Sequence, residues 1–306
     1  MGIAFDNYIV NSLSEFLSVL SDIQLYFCTR RIPDVFLFRG VPRDDFSLIP
    51  SIFRFYTGER TNGSCGVRGL IYEPGKEKEI LFNFIRESAY RFPSIQNFDY
   101  LRWMTLAQHH GAPTRLLDLT SNPLVALFFS CVSLEKSDGV VWILNTHNYN
   151  QWFMNDPIFS DKESLKQETL EAHIAKDFEN ADKDEPLSDI LLRPYIMLPS
   201  VLDDRMSAQC SRFFVWAADH RGLEEMIDDQ VYLFGKTSTS QMVYINGNYP
   251  RSFLGKIIIP GSQKERILRE LNVVSVNQYT LFPGLDGLGR YLRESKEHSP
   301  LDITWF

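Results

Sequence analysis

Apolar positions along the chain switch between helical and strand spacing, and the switches mark its elements. Ser12 followed by Glu15 is a capping-box pattern, and Leu13, Phe16, Leu17 and Leu20 recur at helical spacing, which predicts an amphipathic helix over 11–29. Val35-Phe36-Leu37-Phe38, between Pro33 and Gly40, reads as a buried strand. The stretch 41–68 is polar and mixed, with a loop at Thr61-Asn62-Gly63-Ser64. Helices are predicted over 73–92 and 99–110, the second stopped by Gly111 and Pro113. Thr114–Asp118 is short and extended. Ser121-Asn122-Pro123 then offers a polar cap and a first-turn proline, and Leu124–Cys131 behind it is apolar all round, the signature of a buried helix. Strand-like runs recur at 139–144, 195–198, 213–217 and 256–259, and the last helices at 262–271 and 285–297.

Helices crowd the first third and strands the remainder, which predicts an α+β fold rather than a regular βαβ alternation. The expected architecture is a single domain with a mixed, bent sheet. A helical cap covers 1–30, the body runs over 31–297, and a tail follows over 298–306. One segment of the body, 161–189, changes character. It is strongly acidic, carries Lys at intervals and has Phe178 as its one aromatic residue. The expectation is a solvated helix followed by a linker, inserted at the edge of the domain.

Composition narrows the function classes. The 306 residues are 44% apolar, enough for one large core or two small ones. The formal net charge of −8 makes sequence-independent nucleic-acid binding unfavourable, because such binding runs on phosphate neutralisation. Opposite charges nearly balance up to residue 115, however, and Arg43, Arg54, Arg60 and Arg68 fall in one polar stretch, so the N-terminal third can present a local basic face. The first twenty residues carry Asp6 and Glu15 and lack a basic leader, and no apolar run approaches the ~20 residues of a membrane span. The four cysteines are scattered with no CxxC. A cytoplasmic protein with reduced thiols and no membrane contact is the expectation. Gly235-Lys236-Thr237 is no phosphate loop, since Gln230 stands where the first glycine belongs. Zinc spacings, an EF-hand loop and a GxSxG elbow are missing from the sequence, and no metal is expected.

The densest chemistry lies in Gln108-His109-His110-Gly111-Ala112-Pro113-Thr114-Arg115-Leu116-Leu117-Asp118-Leu119-Thr120-Ser121-Asn122-Pro123. A helix C-terminus, a short strand and a helix N-terminus meet there. The N-terminus of the second helix offers free backbone N–H groups and the positive end of a dipole, suited to an anion. Arg115 and Asp118 leave opposite faces of a strand and so need separate partners. His109 and His110 are adjacent on a helix and diverge by roughly 100°, which disfavours both joint chelation and a paired acid–base role in RNA cleavage.

This stretch, with Phe38-Arg39-Gly40, resembles the FRG domain family. Pro50-Ser51-Ile52-Phe53-Arg54, Leu106–Phe129, Asp138-Gly139-Val140-Val141-Trp142, the Arg205–Phe213 block, Ile257-Ile258-Ile259-Pro260 and Leu281–Leu288 follow in the family's order, covering about 30–295. Val41, His110, Leu119 and Ser211 depart from its usual residues. The family pattern is in turn similar to a divergent ADP-ribosyltransferase fold, in which a polar residue on a first strand, a Ser/Thr before a helix and a late-strand Glu or Gln serve NAD. The resemblance implies Arg39, Asp118 and Gln209 as catalytic residues, and Arg39, Gly40, His109, Arg115, Thr120 and Asn122 as the NAD-binding set. Because Gln209 cannot act as a base, Asp118, Glu79 or Glu87 is expected to supply the charge. The implied activity is transfer of ADP-ribose from NAD to RNA, DNA or protein, as the toxin of a bacterial toxin–antitoxin or phage-defence system with a cognate antitoxin. The alternative is a non-catalytic nucleotide-binding sensor or interaction module.

Overall fold

A computed structural model of the chain describes residues 8–27, 36–55, 74–88, 99–132, 136–146, 149–150, 167–180, 194–199, 201–216, 221–226, 233–234 and 253–298. The loop at 61–64, Arg60, Arg68 and Gly235–Thr237 fall outside them. The strands are β1 (Tyr8–Ile9), β2 (Phe36–Val41), β3 (Leu116–Thr120), β4 (Gly139–Asn145), β5 (Tyr195–Met197), β6 (Ser211–Val215), β7 (Leu233–Phe234) and β8 (Leu254–Ile259). The helices are α1 (Leu13–Phe27), α2 (Ser51–Phe55), α3 (Pro74–Ser88), α4 (Tyr100–His109), α5 (Pro123–Cys131), α6 (Gln167–Asn180), α7 (Asp204–Ala208), α8 (Leu223–Met226), α9 (Lys264–Val273), α10 (Gln278–Leu281) and α11 (Leu285–His298).

The fold is α+β, built on one mixed sheet. Its strands run in the order β1-β8-β4-β2-β3-β6-β5, with β7 also pairing β8. The β1 and β7 pairings with β8 are parallel and the rest are antiparallel. Strand β4 is buried at all seven positions because both faces of the sheet are covered there. Leu37, Val41, Val140, Trp142 and Leu144 join one apolar cluster. The alternate positions Phe38, Val141 and Ile143 join a second, with Phe16 of α1, Leu127 of α5 and Ile267 of α9. Helix α5 lies unusually close to the sheet: a Cβ on Gly40 would sit 1.8 Å from the Ala126 carbonyl oxygen, and one on Gly139 would sit 2.3 Å from that of Ser130.

Two elements differ from expectation. Residues 8–27 are more than a helical cap, since β1 extends the sheet edge beside β8 while Val10, Phe16 and Ile23 enter the second cluster. The acidic helix α6 is solvated on one face only. Leu170, Ile174 and Phe178 bury one face at four-residue spacing, and Asp177 is buried beside them. Its acidic composition masks a stripe that the spacing alone contains. Among the described residues, no helix is long and apolar enough to cross a membrane.

The sheet has a weak junction. Strands β2 and β4 pair over six positions and β3 and β6 over five, whereas β2 and β3 are matched only at Phe38 opposite Thr120. Past that pair a side chain takes over: Arg39 Nη1 donates to the Asp118 carbonyl at 2.5 Å. The candidate site opens at this junction.

Candidate functional site

Helix α4 delivers the first groups. It ends at His109, and Gly111, at φ +82°, turns the chain back towards β3. The Thr114 hydroxyl donates to Gln108 Oε1 at 2.8 Å, which aims the Gln108 amide nitrogen at Asp118 Oδ2, 2.9 Å away. Asp118 is the one exposed position of a strand otherwise buried. Beyond β3, Asn122 caps α5 by accepting from Leu124 N, and Pro123 occupies the first turn. The Thr120 hydroxyl donates to the Gln209 carbonyl at 2.7 Å and accepts from Asn122 N at 3.0 Å.

These elements enclose a cleft of about 220 Å³. Arg39 and Gly40 of β2, Gln108 and His109 of α4, and Asp118 and Thr120 of β3 line it. Phe129 of α5, Arg205 of α7, Gln209 and Ser211 complete much of the wall. Among the described residues, Asp118 is the only carboxylate that lines it. Its Oδ2 lies 3.8 Å from Arg39 Nη1. Burial pulls the Arg39 guanidinium down to about 10, Asp118 works against that, and Arg54 reinforces it. Arg39 therefore stays charged at neutral pH. Burial also lowers Arg54 and Arg205, with Asp118 opposing in both.

Asp203 ties α7 to α4. Its Oδ1 caps α7 by accepting from Met206 N, and its Oδ2 lies 2.7 Å from His109 Nε2. Arg205 Nη1 in turn donates to the His109 carbonyl at 3.2 Å. Burial is the largest influence on His109 and lowers its pKa, against Asp203 and with Arg205 and His110. Burial thus favours the neutral form of the His109 ring, and Asp203 opposes it. It stands edge-on to His110, with centroids 5.2 Å apart at 87°, consistent with the divergence expected of adjacent helical residues.

The family model of the FRG domain matches residues 34–139. The chain carries an FRG domain. No curated protein and no solved structure matches it. The matched segment of the FRG domain contributes Arg39, Gly40, Gln108, His109, Asp118 and Thr120 to the cleft, while Arg205 and Gln209 come from beyond it.

Six of the eight sequence-predicted site residues thus meet at one cleft: Arg39, Gly40, His109, Asp118, Thr120 and Gln209. Arg115 does not. Its side chain is 2% exposed and held by Glu77 through Nε and Nη2 and by Asp177 through Nη1. Two carboxylates saturate it in the core, so it has no charge to offer a cofactor. Asn122 spends its side-chain oxygen on the α5 cap and is not among the cleft-lining residues. Gly40 lines the cleft, but its missing Cβ is explained by α5 and not by a ligand. Gln209 is not on the late strand: it forms the C-cap of α7, and its amide nitrogen donates to the Leu281 carbonyl at 3.0 Å. Glu79 and Glu87 pair with Lys76 and Arg86 on the surface of α3. Arg205 and Gln108 carry cleft geometry that sequence reasoning missed. The usable signal for Arg205 was Asp203 as an N-cap two residues before it, which fixes where a helix starts and where the arginine points.

Proposed function

We propose that the FRG-domain cleft binds NAD and transfers its ADP-ribose to a macromolecular acceptor. The observation that carries this reading is the facing pair at the β2–β3 junction, where Arg39 and Asp118 meet in a cleft with no other lining carboxylate. A guanidinium suits the pyrophosphate by charge and fork geometry. Asp118 lies in the same cleft, positioned by the Gln108 amide. In the transfer, the bond between ribose C1′ and nicotinamide breaks, and nicotinamide leaves with the bonding electrons. Positive charge develops on the ribose, where a fixed carboxylate stabilises it. An acceptor nucleophile then bonds to C1′ and releases its proton. Asp118 provides the charge and Arg39 the anchor; Gln209, committed to Leu281, positions the cleft wall.

The similarity of the FRG pattern to an ADP-ribosyltransferase fold supports the same reading, with a cytoplasmic toxin of a toxin–antitoxin or phage-defence system as the biological setting and an antitoxin as its partner. RNA, DNA and protein are the acceptor classes. A second reading, a nucleotide sensor without turnover, is favoured by one feature: the Thr120 hydroxyl and the Gln209 amide are both occupied by protein partners. Incubation with NAD labelled in its ADP-ribose part, with cell lysate, separates the two. Nicotinamide release with label on a nuclease- or protease-sensitive product supports transfer. Saturable NAD binding without nicotinamide release supports the sensor, and absence of binding overturns both.

A further inference from the structure

Among the described residues, Asp118 is the one carboxylate that lines the cleft, against the two guanidiniums of Arg39 and Arg205. Arg205 lines it, yet among the described residues no carboxylate lies within ion-pair distance of its guanidinium. Its one hydrogen bond is to the neutral His109 carbonyl, its Nε is buried without a partner, and its guanidinium carbon rests 4.7 Å over the Phe282 ring. Arg39 is placed similarly. Its Nη1 donates to a carbonyl, its Nε is buried without a partner, and its carboxylate neighbour Asp118 stays at 3.8 Å. Both guanidiniums are partly buried, and a cation so placed with its charge incompletely answered favours an anionic ligand.

From these two under-compensated guanidiniums we infer that the cleft holds a ligand with two adjacent anionic centres, a diphosphate, one centre anchored by Arg39 and the other by Arg205. The inference rests on the NAD reading only for the identity of the diphosphate. It extends that reading by assigning a second anchor outside the segment matched to the family. Arg39 rises from β2 and Arg205 from α7, so two separate elements present a guanidinium to the one cleft, as a ligand with two anionic centres requires. The stations also differ in support: Arg39 donates to the Asp118 carbonyl of β3, whereas Arg205 donates to the His109 carbonyl at the end of α4.

Binding of inorganic pyrophosphate and inorganic phosphate to the full chain, measured by calorimetry, tests the inference. Pyrophosphate is expected to bind at least tenfold more tightly than phosphate. Arg39→Gln and Arg205→Gln are each expected to abolish that preference while phosphate binding falls far less. Arg205→Lys, which keeps the charge but not the fork, is expected to retain part of it and serves if Arg205→Gln fails to fold. Equal affinity for the two anions in the wild type, or an unchanged preference in folded Arg205→Gln or in an Arg205→Lys chain already indistinguishable from wild type, overturns the inference. Normal NAD turnover and KM in Arg205→Gln overturns it while leaving the transferase reading intact. Pyrophosphate held through both arginines, with no nicotinamide released from NAD, overturns the transferase reading alone.

Discussion

Arg115 and Arg39 flank the same strand and live in opposite electrostatic worlds. Arg115 enters β3 with every side of its guanidinium answered: Glu77 takes Nε and Nη2, Asp177 takes Nη1, and the Phe178 ring lies 5.6 Å from its centre. Arg39 has one backbone carbonyl and one carboxylate at 3.8 Å, and Arg205 across the cleft has a carbonyl and an aromatic ring. In the core the chain supplies its own anions, drawn from helices far apart in sequence. At the cleft it withholds them. A charged side chain that is fully paired speaks for structure, and one that is buried yet under-paired speaks for a ligand.

The comparison breaks most visibly through stability. Glu77→Gln leaves Arg115 short of a buried partner and is expected to cost about 3–5 kcal/mol in urea unfolding, with activity falling only as the folded fraction falls. A cost below about 1 kcal/mol would place Arg115 with the cleft arginines. Arg39→Ala is expected to do the reverse. NAD turnover falls by two to three orders of magnitude, equivalent to about 2.7–4 kcal/mol, while the melting temperature moves little. Unfolding of this variant would mean that Arg39, too, is structural.

Asp118 and Gln209 sharpen the difference inside the cleft. Asp118→Asn removes the only lining carboxylate and is expected to damage nicotinamide release far more than Gln209→Glu. Gln209→Glu sets a carboxylate against the Leu281 carbonyl in place of a donor, so it is expected to lower stability by about 1–2 kcal/mol, where Asp118→Asn does not. Full turnover in Asp118→Asn beside none in Gln209→Glu would transfer the catalytic role.

The smallest effect lies at the contact between α6 and α4. Glu171 of α6 accepts from Leu101 N at the start of α4, and burial, with Asp99 adding, raises its pKa to about 7. A folded-state value above the unfolded one stabilises the protein below about pH 4.5, and that contribution is lost as pH rises through 7. Glu171→Gln is therefore expected to match the wild type at pH 5 and to exceed it at pH 8, by about 0.5–1 kcal/mol after solvent screening. A difference independent of pH would show that Glu171 does not titrate with folding.

Local signals made much of the fold legible. Asn122-Pro123 announced the start of α5, Gly111 the end of α4, and the run from Gly139 a central strand. What escaped was whatever depends on remote partners. Arg115 looked like a ligand group because Glu77 and Asp177 lie 38 and 62 residues away. The stripe Leu170, Ile174, Phe178 has helical spacing, yet net acidity spoke louder. The family resemblance implies Gly40 in the NAD-binding set, whereas the Ala126 carbonyl fills the space beside it. Gln209 was placed on a strand because a two-residue offset between a short helix's cap and the next strand leaves no periodic trace.

The lone match of Phe38 with Thr120 gives the sheet a mechanical character. One side of this seam, β1-β8-β4-β2, carries Arg39; the other, β3-β6-β5, carries Asp118 directly and Arg205 through α7, which leads into β6. Sheets resist shear through consecutive rungs, and a seam with a single rung flexes where the others do not. A ligand gripped from both sides would work as a splint, and its binding is expected to slow amide exchange at Phe38 and Thr120 while exchange along β4 barely changes.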